Sequence, residues 1–138
     1  MSVGPGRHDA PALRVELAMG PDAPAVARAA IATFSENHGI DTETLATMML
    51  LVSELVTNAV VHPEVQPDAA ISLQARLTGT MIQVAITDQG SGFTPQERDP
   101  SRIDGGYGLY LLNKAATHWG IDRHDGNTVW FEVPARTA

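Results

Sequence analysis

Three side chains at regular intervals are the first to suggest chemistry. Glu54, Asn58 and His62 are spaced i, i+4, i+8 in the run Leu51-Val-Ser-Glu-Leu-Val-Thr-Asn-Ala-Val-Val-His62. On a helix of ~3.6 residues per turn that spacing stacks them in a row, drifting ~40° per step, on a face other than the apolar one. A carboxylate, a neutral amide and an imidazole in a row have defined uses. Mg²⁺ takes oxygen ligands and keeps several waters, so one protein oxygen plus phosphate oxygens suffices, and the Asn58 side-chain carbonyl can be that oxygen. Glu54, one turn earlier, can orient a water or a hydroxyl nucleophile as general base. His62 fits equally well as a helix-end hydrogen-bonding residue or as a neighbour of phosphate. Each of the three, taken alone, also fits a solvated polar face.

Two glycine-bearing stretches add to the row. Asp88-Gln-Gly-Ser-Gly92 follows an apolar strand. Gly90 and Gly92 let the backbone turn at positive φ and let a flat ring come close. A carboxylate at the floor of such a pocket only accepts, so Asp88 suits an exocyclic amine such as that of adenine. By itself the pattern also fits an ordinary Asp-Gly turn. Gly106-Tyr-Gly108 precedes a helical stretch. Free N–H groups and the positive dipole end at a helix start favour a phosphate chain, although a glycine-rich linker would read the same way. No G-x-x-x-x-G-K-[ST] loop occurs, and the dinucleotide fingerprint is incomplete with no βαβ unit ahead of it.

The elements that must position these residues can be read from periodicity. Leu45, Met48, Met49, Val52, Leu55, Val56 and Ala59 recur at steps of three and four, so a long amphipathic helix runs from about Asp41, its cap, to about His62, where Pro63 ends it. Ahead of it, residues 12–19 alternate as a half-buried strand, Gly20-Pro21-Asp22 makes a turn with Asp22 as a cap, and residues 23–38 form an alanine-rich helix stopped at Asn37-His38-Gly39. Residues 70–77 and 81–87 form a hairpin around Thr78-Gly79-Thr80, with Ile82, Val84 and Ile86 inward. A polar stretch to Asp104, without periodicity, has the character of a lid or binding loop. A short helix from Leu109 to about Thr117 and two strands, 118–123 and 128–134, complete the chain. Trp119, Trp130 and Phe131 read as core or sheet-edge aromatics. This succession predicts an α/β (α+β) two-layer sandwich, with helices covering one face of a mixed, mostly antiparallel sheet.

The 138 residues suit one domain at 12–134, with a loose arm at 1–11 and a short tail at 135–138. The net charge of −7 predicts no basic nucleic-acid face. The absence of cysteine excludes disulfides and thiolate metal sites and fits a reducing compartment. Met1-Ser-Val-Gly-Pro-Gly has no apolar signal segment, and no apolar run approaches the ~20 residues of a membrane span. A soluble cytoplasmic protein is the expectation.

Glu54-Leu-Val-Thr-Asn58-Ala-Val-Val-His62 resembles the N box of the Bergerat-fold ATPases, the superfamily that includes gyrase and the histidine kinases. Asp88-x-Gly90-x-Gly92 resembles its first glycine box, Gly106-x-Gly108-Leu109 its second, and Gly126-Asn-Thr128-Val-Trp-Phe its closing strand motif, here with Asn127 intervening before the threonine. The four stand in family order over residues 12–134. The wording Ser-Glu-Leu-Val-Thr-Asn-Ala and Gly-Leu-Tyr-Leu-Leu is similar to that of the anti-sigma-factor serine kinases of actinobacterial type.

The resemblance implies a Bergerat ATP-binding fold and binding of ATP with Mg²⁺. It further implies phosphorylation of a serine on an anti-anti-sigma (STAS-domain) partner, and sequestration of a sigma factor by a homodimer. Carried over, Glu54 is the catalytic base and Asn58 the Mg²⁺ ligand. Asp88 binds the adenine amine in a pocket shaped by Gly90 and Gly92, and Thr128 supports it. Gly106, Gly108 and Leu109 back the phosphates, with His62 nearby. Arg98 and Arg102, in the lid stretch, are candidates to approach the γ-phosphate. The alternative is a nucleotide-binding anti-sigma or adaptor module without phosphotransfer, but a pure binder has no need of Glu54.

Overall fold

Two alternating strands face each other at the centre of the protein. In the computed structural model, which describes residues 12–60, 70–88, 108–122 and 126–137, Leu73 lies opposite Ile86 and Ala75 opposite Val84. Cross-strand apolar pairs of this kind each contribute about 0.2–1 kcal/mol. In chain order the elements are β1 (Leu13–Ala18), α1 (Ala23–Asn37), α2 (Thr42–Val60), β2 (Ala70–Thr78), β3 (Met81–Asp88), α3 (Gly108–Ala115), β4 (His118–Asp122) and β5 (Asn127–Pro134). The five strands form one open sheet in the order β1-β2-β3-β5-β4.

Every neighbouring pair in the sheet is antiparallel, which corrects the expectation of a mixed sheet. β4 runs in the same direction as β3, but β5 lies between them, so no parallel pair forms.

The helices pack on one face. Met48, Leu51, Val52, Leu55, Val56 and Ala59 of α2 are buried together with Ile82, Val84 and Ile86 of β3 and Val129, Phe131 and Val133 of β5. Leu45 and Met49 of the expected stripe are only partly buried at its margin. The 19 residues of α2 are long and apolar enough to cross a membrane by length and composition, closer to that limit than the sequence suggests at first sight. Their apolar stripe is spent on the sheet, as in the core helix of a folded domain.

The helix ends are set locally. Asp41 caps α2, accepting from the Thr44 backbone N–H at 2.8 Å. Those hydrogen bonds with Thr44 hold its carboxyl below the ordinary value of 3.8, with a smaller contribution from Arg136. Asp22, in contrast, makes no side-chain cap bond to α1, because it sits in the helical region itself (φ −83°, ψ −12°). Gly39, at φ 66°, closes α1 where a side chain would be strained. The stretch after β5 is bonded to the fold. Ala135 N–H donates to Thr80, Asp41 N–H donates to Arg136, and Thr137 bridges to Ile40.

The opposite face of the sheet carries the other half of each alternation. Trp130 lies there beside Gly120, where a Cβ would fall 2.8 Å from the indole. At the next level Glu132 accepts from Gln83 at 3.0 Å and contacts His118 Nδ1 at 3.2 Å.

Candidate functional site

Glu54 and Asn58 lie one turn apart in the second half of α2. Glu54 is half-buried. Asn58 is 1% exposed, and neither its Oδ1 nor its Nδ2 has a hydrogen-bond partner among the described residues. The expectation of a row lying clear of the core therefore needs correcting at Asn58. The cause is α3, which starts over it. A Cβ at Gly108 would lie 3.2 Å from Asn58 Nδ2 and 3.7 Å from a Leu55 methyl group. Glycine at 108 is what allows α3 to start this close to α2. The two motifs, 50 residues apart in the chain, thus meet at one point.

A buried amide left unpaired costs about 1–3 kcal/mol per unsatisfied group. Such a cost in a folded protein marks a strain reservoir, a functional group or a bound ion. Oδ1 is a neutral oxygen acceptor of the type a hard divalent cation accepts. With Oδ1 as one ligand, a Mg²⁺ site here would take phosphate oxygens and water as further ligands. The donor set fits Mg²⁺ on those terms.

Asp88 ends β3 and is 4% exposed. It projects from the same face as Ile82, Val84 and Ile86, toward the helices. Its cross-strand partner in β5 is Asn127, not Thr128, and Asn127 Nδ2 donates to Asp88 Oδ1 at 3.5 Å, a long hydrogen bond. Thr128 pairs instead with Thr87, and the two hydroxyls meet at 2.8 Å on the opposite face of the sheet. The expected threonine neighbour of Asp88 is thereby corrected to an asparagine. The signal was present in the alternation, since Asn127 falls at period two with the buried Val129, Phe131 and Val133. Gly126, at φ 100°, opens the strand in this register.

Leu109 follows Gly108 in the first turn of α3 and packs partly against the core. His62, Gly90, Gly92, Gly106 and the two lid arginines, Arg98 and Arg102, lie outside the described residues. A cavity at the other end of α2, lined by Glu43, Thr44, Thr47 and Arg136 among others, is ~20 Å along the helix from Asn58 at 1.5 Å per residue. It is separate from this site.

The profile of the histidine kinase-like ATPase domain matches residues 17–133. The chain belongs to that family. As a histidine kinase-like ATPase domain it has solved structural relatives of low sequence identity. One comprises the RsbU and RsbW domains of Rv1364c from Mycobacterium tuberculosis, with a TM-score of 0.64 and 21% identity over 94% of this chain. Another is the histidine kinase domain of the blue-light activated histidine kinase EL346 from Erythrobacter litoralis, at TM-score 0.52 and 22% identity over 81% of this chain. These likenesses are of fold, an α+β sheet-and-helix layer of Bergerat type. The chain accounts for 35% of the first relative and 60% of the second. A search of curated proteins gave no match.

Proposed function

We propose that this ATPase domain binds ATP with Mg²⁺ and works in the cytoplasm as a serine/threonine protein kinase and anti-sigma factor. Its substrate would be a serine on an anti-anti-sigma protein of the STAS type, and its phosphorylation state would decide whether a sigma factor is held. The observation that carries the reading is the buried, unpartnered Asn58 amide against Gly108. The family match and the RsbW-containing relative support it.

In this reading Asp88 accepts from the adenine amine. The start of α3 at Gly108 and Leu109 presents backbone N–H groups to the phosphates, with Gly106 just before it. By resemblance Gly90 and Gly92 would shape the base pocket, and His62 would serve near the phosphates or as a helix-end hydrogen-bonding residue. Asn58 Oδ1 would hold Mg²⁺, which when bound neutralises phosphate charge. Glu54 takes the proton from the acceptor serine hydroxyl as its oxygen bonds to the γ-phosphorus. The bond to the β-phosphate oxygen breaks, leaving ADP and a phosphoserine.

The test is incubation with γ-labelled ATP and candidate STAS proteins. Label on a partner serine is the expected result. Stable partner binding without label would replace the kinase by the adaptor, and no binding of adenine nucleotide at millimolar concentration would end both.

A further inference from the structure

Asn127 is the one polar side chain that the sheet register brings to Asp88, and no motif assigns it a role. Its Cα is paired with that of Asp88, so both side chains leave the same face of the sheet at the same level. Asn127 Nδ2 reaches Asp88 Oδ1 at 3.5 Å. Asp88 is 4% exposed, so the orientation of its carboxylate matters to whatever it meets. Thr128 is turned to the other face and engaged with Thr87.

A carboxylate only accepts, whereas an amide both donates and accepts. Side by side they make an edge with an acceptor next to a donor. Adenine presents the complement, an amine donor beside the N1 acceptor. Guanine presents the reverse, an O6 acceptor beside an N1–H donor. Guanine O6 set against a carboxylate is acceptor against acceptor, and a buried mismatch of this kind is what polar sites reject most strongly.

We propose that Asn127 is a positioning and specificity-determining residue, which holds the Asp88 carboxylate and completes with it a donor-plus-acceptor edge that selects adenine over guanine. This rests on the reading of the site as a nucleotide pocket. Loss of a hydrogen bond to a charged group predicts about a tenfold weakening of ATP binding in Asn127→Ala. GTP binding should weaken less, so the ATP-to-GTP preference shrinks. Asn127→Asp, nearly the same shape, keeps the strand side chain but replaces the donor with a second acceptor, and should lose ATP affinity as well.

The experiment is calorimetric titration of ATP and GTP, each with Mg²⁺, into wild type, Asn127→Ala, Asn127→Asp and Thr128→Val, with thermal midpoints recorded for each. The expected pattern is a larger loss of ATP affinity and selectivity in both Asn127 variants than in Thr128→Val. Wild-type ATP affinity and selectivity retained in a folded Asn127→Ala, or the greater loss in Thr128→Val, overturns the inference while leaving the nucleotide pocket standing. If either Asn127 variant fails to fold, the other decides. A wild type that binds neither nucleotide overturns the pocket and the inference together.

Discussion

Replacing Asn58 by leucine should make the unliganded protein at least as stable and the liganded protein no better. Leucine has nearly the shape of asparagine, with two methyl groups where the amide has oxygen and nitrogen. At 1% exposure, with both polar atoms lacking partners among the described residues, the amide loses its hydration without compensation. Removing that penalty is worth about 1–3 kcal/mol. A methyl group is larger than the amide nitrogen or oxygen it replaces, and its crowding in this closely packed site returns roughly 1 kcal/mol of it, at the low end for overpacking. The net gain lies between zero and about 2 kcal/mol, or up to roughly 7 °C in Tm for a domain of this size.

ATP with Mg²⁺ at about 100 Kd should stabilise the wild type by about 2.7 kcal/mol through linkage, and the variant by almost nothing. Thermal and urea unfolding with and without nucleotide give all four numbers. An unliganded variant less stable than wild type by 1 kcal/mol or more would mean that the amide is paired in the folded protein. A nucleotide shift retained in the variant would remove Asn58 from the site. Either result refutes the reasoning.

Glu54→Ala should keep nucleotide affinity within about twofold, because a general base contributes to the transition state rather than to ground-state binding. Phosphate transfer to the partner should be lost, and equal label incorporation by both proteins would exclude Glu54 as the base. Gly120→Ala pushes a Cβ to 2.8 Å from the Trp130 ring, which should cost about 1–3 kcal/mol and change the intrinsic tryptophan emission. An unchanged denaturation midpoint would show that the indole swings away freely. The Asp41 carboxyl titrates below 3.8 in the folded state because of Thr44, so the folded protein binds fewer protons there than the unfolded chain. Its contribution is complete above that value and disappears as pH falls through the lower folded one. Asp41→Ala should therefore lower Tm at neutral pH and flatten the acid limb of the Tm–pH curve, and superimposable acid limbs would show that the cap is idle.

Periodicity made most of the layer legible. Ile82, Val84 and Ile86 announce an inward strand face, and the three-four spacing from Met48 to Ala59 announces the helix laid on it. The burial of Asn58 was not legible, because it depends on α3 arriving from 50 residues away. No local pattern encodes how closely two helices approach, although a glycine at 108 is consistent with a near contact. At Asp88 the resemblance pointed to Thr128, while simple alternation back from Val129 pointed to Asn127, and the register follows the alternation. The relative direction of β4 and β3 was likewise hidden, since it turns on β5 inserting between them.

That insertion has a consequence for synthesis. The strand that completes the middle of the sheet is also the last to be made, so one flank of β3 has no partner until about Pro134 has left the ribosome. At ordinary translation rates of roughly 5–20 residues per second this leaves the apolar row Ile82, Val84, Ile86 on an unzipped edge for some seconds. An edge of that composition is a template for stray strand pairing between nascent chains. That interval is the time in which nascent chains can pair edge to edge before β5 covers the flank of β3.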